Sequence, residues 1–255
     1  MTQELTSDLT ASTSLSRGVS LFSMFTLDDD TLSVGELARR SGQPKTTVHR
    51  LVRDLVATGL LEKTPTGVRL GIRLFELGHR VFIDRLLSDA AGVIVQRLSE
   101  LTQLTTNVAV MRGPEIVYLE KVDHSGGEVR YTREGGRLPT HCTALGKAIL
   151  AFSQDEQVQQ VISGGLRPAT PYSISKPDQL RTELDVVRRQ KVAFDNQETR
   201  VGFFAVAAPI FSEQLAIGAI SLAGATDSET VRRHAPVVVG AAQAITNALR
   251  RGGSG

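Results

Sequence analysis

Residues 37–55, LARRSGQPKTTVHRLVRDL, predict two short helices joined by a tight turn. Ser33 stands just before the first helix and Glu36 follows three residues later, which is the spacing of a capping box at a helix start. Gly42 ends this helix, and Pro44 stands where the first turn of the next helix is expected. The apolar residues of the second helix recur at i, i+3, i+4 and i+7 and so share one face: Val48, Leu51, Val52 and Leu55.

The flanking residues extend this pair of helices into a larger motif. Upstream, another helix is marked by the spacing of Leu15, Val19, Phe22 and Phe25, and the acidic run 28–30 after it is interpreted as a solvated turn rather than a metal site. Downstream, Gly59 closes the second helix, and two apolar–polar runs surround the turn 64–67, which predicts a hairpin. Three helices followed by a hairpin is the order of a winged helix-turn-helix.

The last helix of the motif has a basic, polar face apart from its apolar stripe. Hydroxyl groups near the start of a recognition helix reach base edges and phosphates, while Lys and Arg neutralise phosphates. Residues 39–73 include eight basic and two acidic residues, a local charge of +6 against +2 for the whole chain. A solvated helical face is the alternative for any one of these charges, but the complete order of helices and wing favours binding of double-stranded DNA. The predicted DNA-binding residues are Lys45, Thr46, Thr47, His49, Arg50, Arg53, Arg39 and Lys63; His49 is expected at a phosphate or in solvent, not at a base.

Composition places the chain among ordinary globular proteins. Its 255 residues suffice for two domains, and 41% hydrophobic with 22% charged residues exclude wholesale disorder. The single cysteine, Cys142, excludes an intramolecular disulfide and fits a cytoplasmic location. We find neither an apolar run long enough to span a bilayer nor a signal peptide, and therefore expect no membrane partner.

The second half of the sequence mixes strands and helices. β-rich runs lie at residues 106–111, 116–122, 128–131, 203–211 and 215–223, the first two joined by a turn at 112–115. Helical spacing marks residues 144–152, 180–191 and 231–249, a link over 72–87, and a face formed by Ala90, Ile94, Leu98 and Leu101. This order predicts an α+β domain with an antiparallel sheet flanked by helices, not a doubly wound sheet.

The sequence contains no convincing catalytic or metal-binding constellation. His141 and Cys142 are adjacent, but neighbours in an extended segment point apart, and a free cysteine is often a small buried hydrophobe. The five histidines lack ligand spacing, and EGGR at 134–137 is a turn without the pattern of a phosphate loop. We expect no enzyme activity, metal or cofactor. A cysteine hydrolase using Cys142 and a ligand-binding module without DNA binding remain as alternatives.

Several segments give the chain a family resemblance. LARRSGQPKTTVHRL (37–51) and GIRLFELG (71–78) resemble the DNA-binding region of the IclR family of bacterial regulators, and LPTHCTALGKA (138–148) with AAPI (207–210) resembles its effector domain. The resemblance extends in order from residue 15 to 249. It implies a repressor, an activator or both, responding to small organic acids. Members dimerise through the DNA-binding region and often form dimers of dimers, so a homodimer or homotetramer is expected.

The resemblance also implies a domain plan and a ligand pocket. The plan is a mobile arm at 1–14, a winged helix-turn-helix at 15–71, a linker helix at 72–88, a GAF-like effector-binding domain at 89–249 and a tail at 250–255. The effector is expected at the start of the helix that follows His141 and Cys142, where backbone N–H groups hold a carboxylate. The implied effector-binding residues are Arg130, Leu138, Ala144, Leu145, Asp195, Ala205, Ser221 and Ala223.

Two positions depart from the family pattern. Many relatives carry GVRC ahead of the AAP segment, whereas residues 202–205 here read GFFA, so Ala205 replaces a polar cysteine. Ala223 stands where serine is frequent. A less polar pocket leads us to hypothesise a larger, partly apolar effector, such as an aromatic or hydrazide-like acid derivative, whose carboxylate pairs with Arg130. Ordinary core packing is the alternative for apolar positions such as Leu138.

Overall fold

The computed structural model describes residues 13–26, 28–123 and 133–252, with residues 82–85 described by their backbone alone. The chain divides into two compact units between Val81 and Phe82. The linker helix predicted over 72–88 spans that division, and it is not continuous: one helix ends at Gly78 and the next begins at Phe82. Most of the predicted arm and residues 253–255 lie outside the described residues, whereas Arg250–Gly252 of the predicted tail continue a helix.

The first unit is the winged helix-turn-helix predicted from the sequence. Its helices are α1 Ser14–Ser20, α2 Val34–Ser41, α3 Lys45–Ala57 and α4 Ile72–Gly78. The wing pairs β1 Leu61–Thr64 antiparallel with β2 Gly67–Leu70 through a two-residue turn. Three residues of the predicted stripe on α3 are fully buried. The core of the unit consists of Leu21, Leu32, Leu37, Val48, Leu51, Val52, Leu61 and Val68.

The predicted capping box of α2 is half formed. The Ser33 hydroxyl accepts a hydrogen bond from the Glu36 amide at 3.1 Å, and Gly42 ends the helix with a positive φ of 65°, which glycine adopts readily. The Glu36 carboxylate does not complete the box. It accepts hydrogen bonds from Arg39 and Arg40 instead, because charge-assisted partners lie within reach on the same helix.

The predicted apolar face of the first helix was wrong. α1 ends at Ser20, and a short 3₁₀ turn over Phe22–Met24 follows it. Leu15 is 78% exposed and Val19 48%, whereas Leu21 is fully buried. The change from α-helix to a tighter turn alters the angular spacing of side chains, so the predicted helical period does not hold across residues 15–25.

The second unit is an antiparallel sheet with helices on both faces, as predicted. Its helices are α5 Phe82–Thr102, α6 Ala144–Leu150, α7 Asp155–Ser163, α8 Pro177–Gln190, α9 Ser228–Arg233 and α10 Ala235–Gly252. Its strands are β3 Thr105–Arg112, β4 Glu115–Val122, β5 Arg137–Pro139, β6 Ala193–Asn196, β7 Phe204–Ser212 and β8 Leu215–Gly224.

The six strands lie in the order β5-β4-β3-β8-β7-β6, and every neighbouring pair is antiparallel. Alternate side chains of each strand therefore enter two separate cores. One core lies between the sheet and the helices α6, α7 and α8, and Ile149, Leu180 and Leu184 are buried in it. The other lies against α5 and α10, with Val95 and Ile245 buried in it.

Several predicted elements of this unit need correction. β5, β6 and α7 were not predicted, and the predicted strand at 128–131 lies outside the described residues. The predicted final helix is two helices that meet at His234, just before Pro236. On α5, Leu98 is buried as predicted, but Leu101 is 72% exposed because the buried face is shifted to Ala91 and Val95.

Candidate functional site

The start of α3 presents most of the predicted DNA-binding residues to solvent. Lys45, Thr46, His49, Arg50 and Arg53 are exposed, while Thr47 is partly buried. The Arg50 guanidinium donates a 3.1 Å hydrogen bond to the Ser14 hydroxyl at the start of α1. Lys63 is exposed on the first strand of the wing. Exposed basic side chains thus stand on α3 and on the wing, and the hydroxyl groups of Thr46 and Thr47 lie at the helix start, where a recognition helix approaches DNA.

Part of the local positive charge is neutralised within the protein. Arg40 forms ion pairs with Asp29 at 2.5 Å and Glu36 at 2.7 Å, and Arg39 pairs with Glu36 at 2.6 Å. The hydrogen bonds from Arg39 and Arg40 lower the pKa of Glu36 to about 2. Asp29 therefore connects structural elements and is not part of a merely solvated turn. Sequence counting overstated the free charge because it omitted these partners, which lie outside residues 39–73.

A cavity of about 380 Å³ lies in the second unit between the sheet and α6. Small side chains of the sheet line it and leave space above the strands: Ala205, Ser221 and Ala223. α6 begins just after His141 and Cys142, and there the Thr143 hydroxyl accepts a hydrogen bond from the Gly146 amide at 3.0 Å. Small strand residues and a short capped helix thus create the space together.

The structure brings the described members of the predicted effector-binding set together around this cavity. They are Leu138, Ala144, Leu145, Asp195, Ala205, Ser221 and Ala223. Their positions follow from the pairing of the strands, since Asp195, Ala205 and Ala223 lie side by side on β6, β7 and β8. Arg130 lies outside the described residues. The role of this set in binding stays a prediction.

Other lining residues were not anticipated from the sequence. They are Asn107, Tyr118, Thr143, Ala169, Thr170, Thr199, Arg200, Val201 and Phe203. One signal was available: asparagine is uncommon inside strands, yet Asn107 interrupts the β-rich run 106–111. Arg200 supplies a cation to the lining, but its loop position shows no pattern that sequence reasoning detects.

The polar groups on the sheet differ in how far their hydrogen bonds are satisfied. The Asn107 amide nitrogen donates to the Ser221 hydroxyl at 3.4 Å, while its carbonyl oxygen is buried without a partner among the described residues. Asp195 is better satisfied, since its carboxylate accepts from the Glu198 amide at 2.6 Å and from the Thr199 hydroxyl at 2.5 Å. Burial raises the pKa of Asp195 in spite of these bonds.

A buried ion cluster supports the wall formed by residues 197–203. The Lys147 ammonium group donates to Glu198 at 2.5 Å and to Glu183 at 3.0 Å, and its side chain is 1% exposed. Burial raises the pKa of Glu198 to about 7, against the attraction of Lys147. Burial also opposes the charge on Lys147, but the two carboxylates outweigh it and raise the pKa of the ammonium group. Glu198 is therefore held beside the cavity by a charge on α6.

Cys142 is placed as a core residue rather than as a nucleophile. It is fully buried, and burial raises the pKa of its thiol to about 12. The thiol lies 3.9 Å from the Pro139 carbonyl oxygen, and the His141 Nε2 atom lies 3.2 Å from the Arg167 carbonyl oxygen. These partners give the imidazole and the thiol separate surroundings.

The described residues include no cluster of three acidic, His or Cys side chains suited to a metal ion. No helix in the described part of the chain is long and apolar enough to cross a bilayer.

Comparison with known proteins gives a consistent result. A model of the bacterial transcriptional regulator IclR C-terminal domain matches residues 81–250, and one of the IclR helix-turn-helix domain matches residues 14–65. The chain is 30% identical to the HTH-type transcriptional regulator XynR of Escherichia coli, covering 84% of this chain and 86% of that protein. It is 27% identical to the p-hydroxybenzoate hydroxylase transcriptional activator of Acinetobacter baylyi, covering 84% and 81% respectively.

A solved structure extends the comparison to three dimensions. An IclR homolog from Microbacterium hydrocarbonoxydans, complexed with 4-hydroxybenzoate, superposes with a TM-score of 0.85 at 29% sequence identity. The match covers 94% of this chain and 100% of the homolog.

Proposed function

The chain belongs to the IclR family of bacterial transcriptional regulators, and we propose that a monocyclic aromatic acid, bound in the cavity below α6, controls its affinity for an operator. The observation that carries this proposal is the cavity itself. Its volume of about 380 Å³ falls within the roughly 300–1,000 Å³ range of small-molecule sites. Its alanines and Leu138 suit an apolar ring better than a two- or three-carbon acid.

The relatives support the same chemical class. The homolog from Microbacterium hydrocarbonoxydans is complexed with 4-hydroxybenzoate, and the Acinetobacter baylyi relative activates the p-hydroxybenzoate hydroxylase gene. In this chain the acid would need a partner for its carboxylate. The proposed partners are Ala144 and Leu145 at the start of α6 and Arg130 outside the described residues, all from the predicted set, together with Arg200, which the sequence did not predict.

On the DNA side, α3 would enter the major groove of a pseudo-palindromic operator. The exposed apolar side chains Leu15 and Val19 on α1 support pairing of two chains through this unit. A two-fold dimer places its recognition helices about 34 Å apart, one helical turn of DNA. Effector binding would change the population of dimer or tetramer arrangements that match this spacing. Since bacterial DNA is cytoplasmic, we place the protein in the cytoplasm.

The same site would bind its ligand without turning it over. Catalysis by Cys142 requires a thiolate, and burial holds this thiol in its protonated form at neutral pH. A hydrolase would reveal itself by turnover of a 4-nitrophenyl ester that is lost in Cys142→Ser. We expect no such activity.

Fluorescence anisotropy tests the proposal on the full chain. DNA from upstream of its own gene is titrated with protein, alone and with saturating 4-hydroxybenzoate or, for comparison, pyruvate. We expect the aromatic acid to shift DNA affinity about tenfold, equivalent to about 1.4 kcal/mol of coupling, and pyruvate to have little effect. An operator affinity unchanged by every aromatic acid would refute the effector class.

A pair of arginine variants tests the DNA surface in the same assay. Arg50→Ala should weaken binding at all salt concentrations and reduce the slope of log affinity against log salt by about one. Arg189→Ala is the matched control, because Arg189 is exposed on α8 of the second unit and is not a member of the predicted DNA-binding set. If DNA binding is independent of salt and is unaffected by Arg50→Ala, the first unit is better explained as a module that contacts only proteins.

A further inference from the structure

Asn107 is a polar residue of the cavity whose side-chain oxygen has no hydrogen-bond partner among the described residues. It lies on β3, near the middle of the sheet, and is 1% exposed. Its neighbour two residues on, Ala109, belongs to the core on the α6 side, and alternation along the strand directs Asn107 to the same side. Asn107 also lines the cavity directly.

The hydrogen bonds of its carboxamide are unequal. The nitrogen donates to Ser221, which is the cross-strand neighbour on β8. The oxygen, Oδ1, is buried and has no partner among the described residues. Buried carbonyl oxygens without a partner are rare in folded proteins, and each one calls for an explanation such as a bound molecule.

Three other polar side chains of the cavity have partners among the described residues. The Thr143 hydroxyl donates to the Pro139 carbonyl, and the Thr170 hydroxyl donates to the Gln197 carbonyl. Asp195 accepts from Glu198 and Thr199. The alanines of the sheet supply no donor at all. No described residue donates a hydrogen bond to Oδ1 of Asn107, so a molecule that fills the cavity can supply the donor.

We propose that Asn107 determines effector specificity by accepting a hydrogen bond from a hydroxyl or N–H group on the ring of the aromatic acid. The inference rests on the proposed function and narrows it to acids that carry a donor away from the carboxylate. An acid with fluorine or hydrogen in that place leaves Oδ1 unpaired and binds less tightly, because the acceptor loses water on binding without gaining a partner. Tyr118, whose hydroxyl stays protonated because burial raises its pKa, lines the same cavity.

The test is isothermal titration calorimetry of the full chain with 4-hydroxybenzoate and 4-fluorobenzoate. The two acids share a ring and a carboxylate and differ in the donor. We expect the wild type to bind 4-hydroxybenzoate about tenfold more tightly, equivalent to about 1.4 kcal/mol. Asn107→Leu should reduce this ratio to about twofold or less, chiefly by weakening 4-hydroxybenzoate. Asn107→Asp keeps an acceptor and should keep the preference, because any repulsion of the carboxylate affects both acids equally.

Thr106→Val is the matched control. Thr106 is the preceding residue on β3, is fully buried and also has an unpartnered side-chain oxygen, but alternation places it on the opposite face of the sheet. This variant should leave the ratio of affinities unchanged. The wild-type ratio is informative even where a substitution prevents folding.

The outcomes separate the two proposals. Equal binding of both acids by the wild type, or a tenfold ratio that survives Asn107→Leu, overturns the role of Asn107 and leaves the aromatic effector class standing. Binding of neither acid overturns this inference, whereas the effector class itself is overturned only when no aromatic acid changes the operator affinity.

Discussion

Replacing Lys147 with Met is expected to destabilise the second unit strongly, in a pH-dependent way. The ammonium group is 1% exposed and bonds two carboxylates, of which Glu198 is 7% exposed. Removing one partner of a buried ion pair costs about 3–5 kcal/mol, because the remaining charge loses its compensation. A domain of 150–250 residues loses about 2–4 °C of melting temperature per kcal/mol. We therefore expect Lys147→Met to melt about 6–20 °C lower at pH 8.

The pH dependence of that loss distinguishes charge from packing. Glu198 has its pKa raised from 4.5 to about 7, so folding favours its protonated form. The penalty for burying its charge is present above the folded-state pKa and disappears as the pH falls toward the unfolded-state value. Without Lys147 the folded-state pKa rises further, so at pH 5 Glu198 is neutral and the loss should fall by more than half.

Thermal melts followed by circular dichroism at pH 8 and pH 5 measure both effects. Lys176→Met is the control, since it makes the same replacement at an exposed position and should change the melting temperature little. A melting temperature for Lys147→Met within about 2 °C of the wild type at pH 8 would refute the reasoning. So would an equal loss at both pH values, which would indicate lost packing instead of an uncompensated charge.

Two further predictions concern Cys142 and the wing. Because burial raises the pKa of Cys142 to about 12, the thiol of the native protein should react with Ellman's reagent at pH 8 about a hundredfold or more slowly than that of the unfolded chain. Fast labelling of the native protein would contradict this placement. Gly67→Ala would bring a Cβ within 2.2 Å of the Leu32 carbonyl oxygen and should destabilise the first unit by about 1–3 kcal/mol in urea unfolding. Gly78→Ala meets nothing within 4 Å and should be neutral or slightly stabilising; equal effects of the two would argue against the close approach at the wing.

The parts of the fold that sequence reasoning predicted are those decided by local chemistry. The period of the α3 stripe and the turn residues of the wing act over fewer than ten residues, so pattern and structure agree. β5 and β6 were missed because they are three and four residues long, too short to show alternation. α7 begins with a polar turn and buries only Val158 and Val161, so its apolar spacing is weak. The helices predicted over 72–88 and 231–249 are both interrupted in the structure. Apolar residues stand on each side of both interruptions, so the apolar period of the sequence does not reveal them.

The residues of the candidate site differ in the same way, because some belong to a continuous sequence motif and others depend on contacts between distant positions. Ala144 and Leu145 were found because they belong to a continuous motif that resembles the family. Asn107 was missed because its significance depends on Ser221, which is 114 positions away and becomes its neighbour only through the pairing of β3 with β8. An unpaired acceptor is a property of the surroundings, and a sequence does not show which groups lack partners.

The cavity and the stability of the second unit depend on the same buried contacts. The Thr170 hydroxyl donates to the Gln197 carbonyl and the Ser173 hydroxyl donates to the Glu198 carbonyl, which joins two loops of the wall. Lys147 on α6 is bonded to the same wall through Glu198. A ligand that fills the cavity binds only the folded form. At a concentration of a hundred times its dissociation constant, such a ligand adds about 2.7 kcal/mol to the free energy of unfolding. A saturating effector should therefore restore much of the melting temperature lost by Lys147→Met, provided that the cavity persists in this variant. If the variant melts low and the effector restores nothing, the ion cluster shapes the binding site itself and does more than support the fold around it.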